Sequence, residues 1–317
     1  MTIEFGEETS AEEAARDIDL SGKTIVLTGG SAGLGVETAR VLAAHGARIV
    51  SVVRNEAKGQ AAADQIRKSL PEADIELAVL DLFDLDSVKR GADDIAKRFP
   101  TINRLINNAG VMACPLGRTA EGLDTQLGTN HLGHFVLTSR LIPQLQAGAP
   151  ARIVNLSSAG HRLSPFRFED PFFEKEDYDK WTAYGQAKTA NVLFSVALDS
   201  RYKDRGIRAF AVHPGAIQTE LGRHMDQDDL KDLLSRRPTN DPMKFKQVPQ
   251  GAATTVWAAT APELDGLGGL YCEDCHVAEE STDPALGKGV LTWALDPKAA
   301  ERLWTLSEEW SGETFPA

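Results

Sequence analysis

The stretch KTIVLTGGSAGLG, residues 23–35, decides the fold. Its first five residues are a short apolar run with β-branched members and read as a buried strand. The run passes directly into Thr28, Gly29, Gly30, Ser31, Ala32, Gly33, Leu34 and Gly35. Val36, Ala39, Val41, Leu42 and Ala43 then supply one apolar helical face. A strand, a glycine turn and a helix in this order bring a backbone close to a pyrophosphate. The helix start offers free N–H groups and the positive end of its dipole. Glycines alone would be explained by an ordinary turn; the strand-to-helix setting favours phosphate binding.

Working outward, the same alternation repeats. Strands are expected at 48–53, 75–80, 105–108, 152–156, 207–212 and near Leu270. Helices are expected at 56–69, 85–99, 123–145, 178–202 and 251–261. Ser10 and Glu13 form a capping box that opens a short helix before the first strand. Alternation of this kind gives a parallel sheet covered on both faces, with ligands at the carboxyl ends of its strands. Thr28, Arg54, Asp81, Asn108, Ser158 and Pro214 all fall at such ends.

The composition fits one large α/β domain. The 317 residues, 42% hydrophobic and 25% charged, suffice for a full core, and no Pro/Gly/Ser linker divides them. A formal net charge of −12 argues against nucleic acid or an anionic membrane as partner. No apolar run of about 18 residues is present, so no membrane span is expected. Residues 1–10 lack a basic start and an apolar core, which argues against a signal peptide. Three cysteines do not make a disulfide framework, and a reducing cytoplasm is the expected location.

A second constellation lies downstream. Tyr184 and Lys188 stand four residues apart, on one face of an expected helix, after Asn155, Leu156, Ser157 and Ser158. A tyrosine is a poor acid-base group at neutral pH, with an ordinary pKa of about 10. An ammonium ~4 Å away, at an effective dielectric of ~20, is worth ~4 kcal/mol. That would favour the phenolate by up to ~3 pKa units, near the optimum for proton transfer. A lone Tyr-x-x-x-Lys is weak, because most such spacings are solvated helix faces.

Four motifs in order remove that ambiguity: the T-G-x-x-x-G-x-G turn, Asn107-Asn108-Ala109-Gly110, the serine pair, and Tyr184 with Lys188. Together they resemble the short-chain dehydrogenase/reductase family over roughly residues 20–275. The stretches 129–135 (TNHLGHF), 183–194 (AYGQAKTANVLF) and 213–215 (HPG) resemble its retinol dehydrogenase and protochlorophyllide reductase branch. Ala187 departs from that branch, which usually has serine there, and leaves the Tyr/Lys pair intact.

The resemblance implies a Rossmann-type α/β fold: a doubly wound parallel sheet of about seven strands, with helices on both faces, in a single domain of residues 1–317. Residues 1–20 would be an N-terminal extension, 161–181 and 223–248 substrate-side insertions, and 276–317 a C-terminal extension. It also implies a nicotinamide cofactor. Gly29, Ser31, Gly33, Leu34 and Gly35 would hold it, as would Asp81, Leu82, Asn108, Ala109, Gly110, Pro214, Gly215, Ile217 and Thr219, with Tyr184 and Lys188 on its ribose. By the same resemblance Ser158, with Ser157 as runner-up, hydrogen-bonds the substrate oxygen, Tyr184 exchanges the proton, and Asn130 helps hold a relay water near Lys188. Read alone, Asn130 could instead be an amide that kinks its helix, an alternative the flanking match makes the lesser one.

Arg54 bears on the choice of cofactor. An acidic residue about 20 positions after the glycines usually holds the ribose 2′-hydroxyl; here Arg54 stands nineteen after Gly35, and Val53 before it is apolar. A guanidinium can pair bidentately with a 2′-phosphate, so NADP(H) is favoured over NAD(H).

Three features invite other readings. Cys272, Cys275 and His276 match a haem-attachment string but lie at the end of the last expected strand, and they are one ligand short of a structural zinc site. His131 and His134, three apart, are expected to pack or cap rather than bind metal, and no metal is expected. Trp293, Trp304 and Trp310 look like the aromatic face of a docking C-terminal extension.

Phe166, Phe168, Phe172, Phe173 and Trp181 suit a bulky apolar alcohol or ketone, or else anchor their loop. Residues 223–248, broken by Pro238 and Pro242, read as an amphipathic lid carrying Met225, Leu230, Leu233, Leu234, Met243 and Phe245. The two long helices are apolar on more than one face, which slightly favours a homodimer. A C=C reductase and a non-catalytic NADP-binding regulator remain alternative readings.

Overall fold

Apolar, β-branched runs form seven parallel strands, each preceding a helix, a turn or a loop. They are β1 (Thr24–Thr28), β2 (Arg48–Val53), β3 (Ile75–Val79), β4 (Arg104–Asn107), β5 (Ala151–Leu156), β6 (Ile207–His213) and β7 (Leu270–Glu273). The computed structural model describes residues 5–236 and 244–316, so Pro238, Pro242 and Met243 of the expected lid lie outside it. The sheet order is β3-β2-β1-β4-β5-β6-β7, closed by a short antiparallel strand, β8 (His276–Val277). The order reverses between β1 and β4, and ligands bind at such a crevice, outside the carboxyl ends of the strands.

The sheet therefore has eight strands among the described residues, where about seven were expected. The extra one arises because Asp274 and Cys275 adopt positive φ of 48° and 56°, turning the chain back on itself. A separate parallel pair, β9 (Glu280–Ser281) and β10 (Val290–Leu291), was not foreseen. Two-residue strands carry too little periodicity to be read.

Helices cover both faces. On one side lie α1 (Ala11–Ala14), α2 (Gly33–Ala44) and α3 (Glu56–Ser69). On the other are α4 (Leu85–Arg98), then α5 (Thr125–Leu127) running through a π-helical turn, Gly128–Leu132, into α6 (Gly133–Ala147), and α7 (Lys180–Tyr202). Further on come α8 (Gln227–Ser235), α9 (Val248–Thr260), α10 (Thr292–Leu295) and α11 (Pro297–Ser311). Side-chain caps set most helix starts. Ser10 and Glu13 make the reciprocal capping box, Asn55 caps α3, Asp84 caps α4 and Asp179 caps α7.

The expected helix over 123–145 is not one regular α-helix. The π turn lets Gly133 pass so close to Leu82 that a Cβ would lie 2.3 Å from the Leu82 carbonyl oxygen. It also presents the Asn130 side chain to the backbone of Val111. Propensity cannot foresee a widened turn made to satisfy a loop on another element.

The aromatic residues of the C-terminal extension dock as expected. Phe135 of α6 packs against Phe194 of α7, Trp304 of α11 and Phe315, with ring centroids 5.4, 5.3 and 4.8 Å away. Thus α11 covers an apolar face of α7. Trp310 packs against Phe166 and Phe172, and Phe173 against Tyr178, so much of the phenylalanine set of 161–181 anchors its loop. Helix α8 is tied to the start of α7 by Lys180–Asp229 at 2.6 Å and Arg236–Asp179 at 2.8 Å.

Truncating Phe135 would empty the centre of this aromatic cluster. Phe135→Ala should cost about 3–5 kcal/mol of unfolding free energy. Urea unfolding should show a lower midpoint with an unchanged slope. An unchanged midpoint would mean that α11 contributes no cooperative packing.

Candidate active site

The site is built from the carboxyl ends of β1, β4, β5 and β6 and one face of α7. At β1, Gly29 and Gly33 have positive φ of 76° and 56°. A Cβ on Gly35 would lie 2.2 Å from the Gly29 carbonyl oxygen, so α2 can begin only with glycine there. Ala32, at the N-cap of α2, offers no side-chain cap, and the helix start keeps its N–H groups for a ligand. Thr219 lies across from the turn, its methyl 3.4 Å from a Cβ placed on Gly33. Gly251 lets Ile217 and Leu34 close over the same turn. This cradle fits a dinucleotide phosphate.

A hydrogen-bonded relay joins β1 to β4 and α6. Asn108 Nδ2 donates to the Thr28 carbonyl at 2.8 Å, and the Ala109 N–H donates to Thr28 Oγ1 at 3.0 Å. Thr28 Oγ1 lies 2.9 Å from His134 Nε2, and His134 Nδ1 lies 3.0 Å from the Asn130 carbonyl. A carbonyl only accepts, so Nδ1 carries the proton and Thr28 donates to Nε2. Burial pushes the His134 pKa down to about 4, which keeps the ring neutral in this role. His131 lies beside Ser307 Oγ at 2.8 Å. Both histidines are thus packing and bridging groups, as expected.

The Asn130 amide clamps Val111. Its Oδ1 accepts the Val111 N–H at 2.8 Å and its Nδ2 donates to the Val111 carbonyl at 2.9 Å. A Cβ on Gly110 would lie 3.0 Å from Asn130 Oδ1 and 3.7 Å from Lys188 Nζ, so Asn130 and Lys188 flank Gly110. Asn130 also sits within the π turn, so it shapes its helix and reaches the site.

On α7, Tyr184 and Lys188 are both buried. Lys188 Nζ donates to the Leu156 carbonyl at 2.9 Å, and its own carbonyl accepts from Ser157 Oγ at 2.8 Å. Ser157 is thus spent on α7. Ser158 Oγ accepts the Gly160 N–H at 3.0 Å, and a Cβ placed on Gly160 would lie 2.6 Å from the Tyr184 ring and 3.4 Å from Ser158 Oγ. The structure places Ser158, not Ser157, beside the phenol.

The charge balance differs from the expectation. Burial pushes the Tyr184 pKa up to about 12, with the neighbouring Ser158 hydroxyl pulling the other way. Lys188 Nζ is 5.7 Å from the phenol ring centroid and is engaged by Leu156. Desolvation pushes the lysine down to about 8. Tyr184 therefore holds its proton at neutral pH.

Arg54 is exposed just beyond β2, and no ion pair among the described residues engages it. Asp81 Oδ1 accepts the Phe83 N–H at 3.0 Å, and Leu82 is buried beside it. Pro214 and Gly215 follow β6, with Gly215 at φ 97°. Ser31 stands in the glycine turn, before the start of α2. Cys272 and Cys275 are buried while His276 is exposed on β8, so the haem-like string is a hairpin.

Lys246 was missed by the sequence reading. Its stem lies over Gly215, its N–H donates to the Ala216 carbonyl at 2.8 Å, and its Nζ meets Asp274 at 2.5 Å. His213 was noted only as part of a motif; its Nδ1 accepts the N–H groups of Ala159 and Gly215 at 3.2 and 3.3 Å. Burial holds its pKa far below the usual histidine value. The contacts of Lys246 with Ala216 and Asp274, and of His213 with Ala159, leave no signal in local spacing because they join separate segments.

The profile of the short chain dehydrogenase family matches residues 23–230. Human retinol dehydrogenase 12 is 40% identical over 300 residues, covering 93% of this chain and 88% of the relative. A short-chain dehydrogenase/reductase, prx1, of Penicillium rubens is 40% identical over 292 residues, covering 90% and 84%. The crystal structure of an uncharacterized protein from Mycobacterium paratuberculosis superposes with a TM-score of 0.75 at 33% identity, covering 96% of this chain and 98% of that one.

The buried ammonium carries a pH signature. The unfolded lysine has a pKa near 10.5 and the folded one about 8, so the unfolded state binds more protons between those values. Burial of Lys188 thus costs most below pH 8, and the cost fades as pH rises to about 10.5. Lys188→Met should be more stable relative to wild type at pH 7 than at pH 10.5, by roughly 2–4 kcal/mol. Denaturant titrations of both proteins at several pH values check this, and parallel curves would refute a desolvated ammonium.

Proposed function

Because this chain belongs to the short-chain dehydrogenase/reductase family, in its retinol dehydrogenase branch, and is an oxidoreductase acting on CH–OH or C=O groups, we propose that it is NADP(H)-dependent and that Ser158, Tyr184 and Lys188, with Asn130, carry its chemistry. The observation that carries this reading is the grouping of buried Tyr184 and Lys188 on α7 with Ser158, half-buried after β5.

The nicotinamide, when bound, supplies or takes up the hydride at the substrate carbon. Tyr184, a phenol that keeps its proton at neutral pH, gives that proton to the oxygen during reduction and takes it back during oxidation. Ser158 Oγ has a lone pair engaged by the Gly160 N–H, which leaves its own proton for the substrate oxygen. Lys188 grips the ribose and places a cation near the phenol. Asn130 holds a relay water beside that lysine. Leu34, Ile217 and Thr219 close over the cradle, and Asp81 and Leu82 border the adenine.

Arg54, at the end of the strand after the cradle, supports NADP(H) over NAD(H) by pairing with the 2′-phosphate. For substrate, the reading is a bulky apolar alcohol or ketone. Support comes from the relative named retinol dehydrogenase more than from the phenylalanines of 161–181, several of which are committed to packing.

Two variants test the proposal. Tyr184→Phe should lower turnover by at least about 10²-fold while dinucleotide binding persists. NADPH oxidation against a panel of ketones, with binding by fluorescence, measures both, and near-native turnover would refute the assignment. Arg54→Ala should weaken NADPH by roughly ten- to a hundredfold, the worth of one charge-assisted pair, and leave NADH within about twofold. Equal losses for both cofactors would show that Arg54 serves the fold or the adenine. A wild type that prefers NADH would overturn the NADP(H) assignment.

A further inference from the structure

The imidazole of His161 is buried in the 3₁₀ turn, Ala159–Leu163, that follows Ser158. Its Nδ1 lies 2.7 Å from the Ser158 carbonyl oxygen. A carbonyl only accepts, so Nδ1 carries the proton and Nε2 is bare. The bare nitrogen accepts the N–H of Leu291 at 3.2 Å. One neutral ring thus joins the backbone of Ser158 to β10, 130 residues further along the chain.

The segment it reaches is seated by two more side chains. The Gly289 N–H donates to Glu273 Oε1 at 2.7 Å, and Arg162 donates to the Gly289 carbonyl. Glu273 is buried and Arg162 half-buried, 3.8 Å apart. The strap Gly289–Leu291 is therefore fixed from β7 and from the turn after Ser158. On the near side, Thr189 Oγ1 shares its proton between the Ser164 carbonyl at 2.8 Å and the His161 carbonyl at 3.1 Å, tying the same turn to the helix that carries Tyr184 and Lys188.

We propose that His161 is a positioning residue for Ser158, coupling the C-terminal strap Gly289–Leu291 to the hydroxyl that takes the substrate oxygen. The proposal rests on the role given to Ser158 above. The Ser158 carbonyl accepts both the His161 N–H, at 3.1 Å, and the imidazole, and the Gly160 N–H of the same turn engages Ser158 Oγ. The imidazole thus reinforces the turn that orients Oγ, and the strap holds the imidazole. Losing the ring contact loosens that turn and moves Oγ relative to Tyr184. Misplacement on the ångström scale can cost about 10²-fold in rate.

Two conservative substitutions separate the two halves of the ring. His161→Asn keeps a donor at the δ position, for the Ser158 carbonyl, and loses the contact to Leu291. His161→Gln keeps an acceptor at the ε position, for Leu291, and loses the donor to Ser158. For His161→Gln we expect kcat to fall roughly ten- to a hundredfold, with substrate KM, NADPH Kd and melting temperature near wild type. For His161→Asn we expect kcat to stay within about threefold of wild type, while the Leu291 amide exchanges faster with deuterium, since one neutral hydrogen bond is lost away from the reacting atoms. A purely structural role would instead lower kcat in step with melting temperature in both variants. That result overturns the proposal, as does His161→Gln at wild-type kcat or His161→Asn with a tenfold loss. Ser158→Ala is the companion measurement. If it keeps wild-type turnover, the reading of Ser158 itself fails and this inference falls with it. If it is crippled while His161→Gln is not, only the inference fails.

Discussion

The hydrogen bond from the buried Lys188 ammonium to the Leu156 carbonyl is the interaction on which the site depends. A parallel strand that ends inside a protein leaves carbonyls without ladder partners, and each must be satisfied. At the end of β5 the partners come from α7. Lys188 Nζ and Asn191 Nδ2 both donate to Leu156, and Ser157 returns a hydrogen bond to the Lys188 carbonyl. Helix and strand are thereby locked in one register. That register brings Tyr184 beside Ser158 and leaves no freedom for the phenol to swing away.

The opposite wall obeys the same constraint with different atoms. The carbonyl of Thr28 is met by Asn108, and its hydroxyl links Ala109 to His134. His134 in turn reaches Asn130, whose amide holds Val111. The π turn around Asn130 and the close approach of Gly133 to Leu82 follow from fitting this relay between two strand ends. Burial then governs the electrostatics. It keeps both histidines neutral, holds the Tyr184 proton, and brings the Lys188 pKa to about 8. The Lys188 ammonium, expected from its spacing to favour the phenolate, is hydrogen-bonded to Leu156, and burial is what moves the phenol.

The C-terminal extension shows how a core can be completed from within one chain. Trp304 and Phe315 cover α7 through Phe135 and Phe194, and Trp310 gathers the phenylalanines of the loop before α7. Aromatic residues that read as substrate-facing in sequence are thereby spent on packing. The same sequence pattern serves either purpose, and only the position of α11 tells them apart.

Read alone, the chain determined the strand–turn–helix units, their order, the glycine cradle, the face shared by Tyr184 and Lys188, and most helix caps. Each of these is a local property: hydrophobic period, backbone freedom at glycine, or a side chain bonding its own helix start. Tertiary structure alone decided which serine meets the phenol, which way the lysine points, and that β8, β9 and β10 exist. It also revealed that Lys246, His161 and Glu273 converge on the segments around the site. These outcomes depend on partners that different elements bring together, from 3 residues apart at His161 and Ser158 to 130 at His161 and Leu291, or on strands too short to show a period. Long-range desolvation, which sets the charges, leaves no trace in spacing.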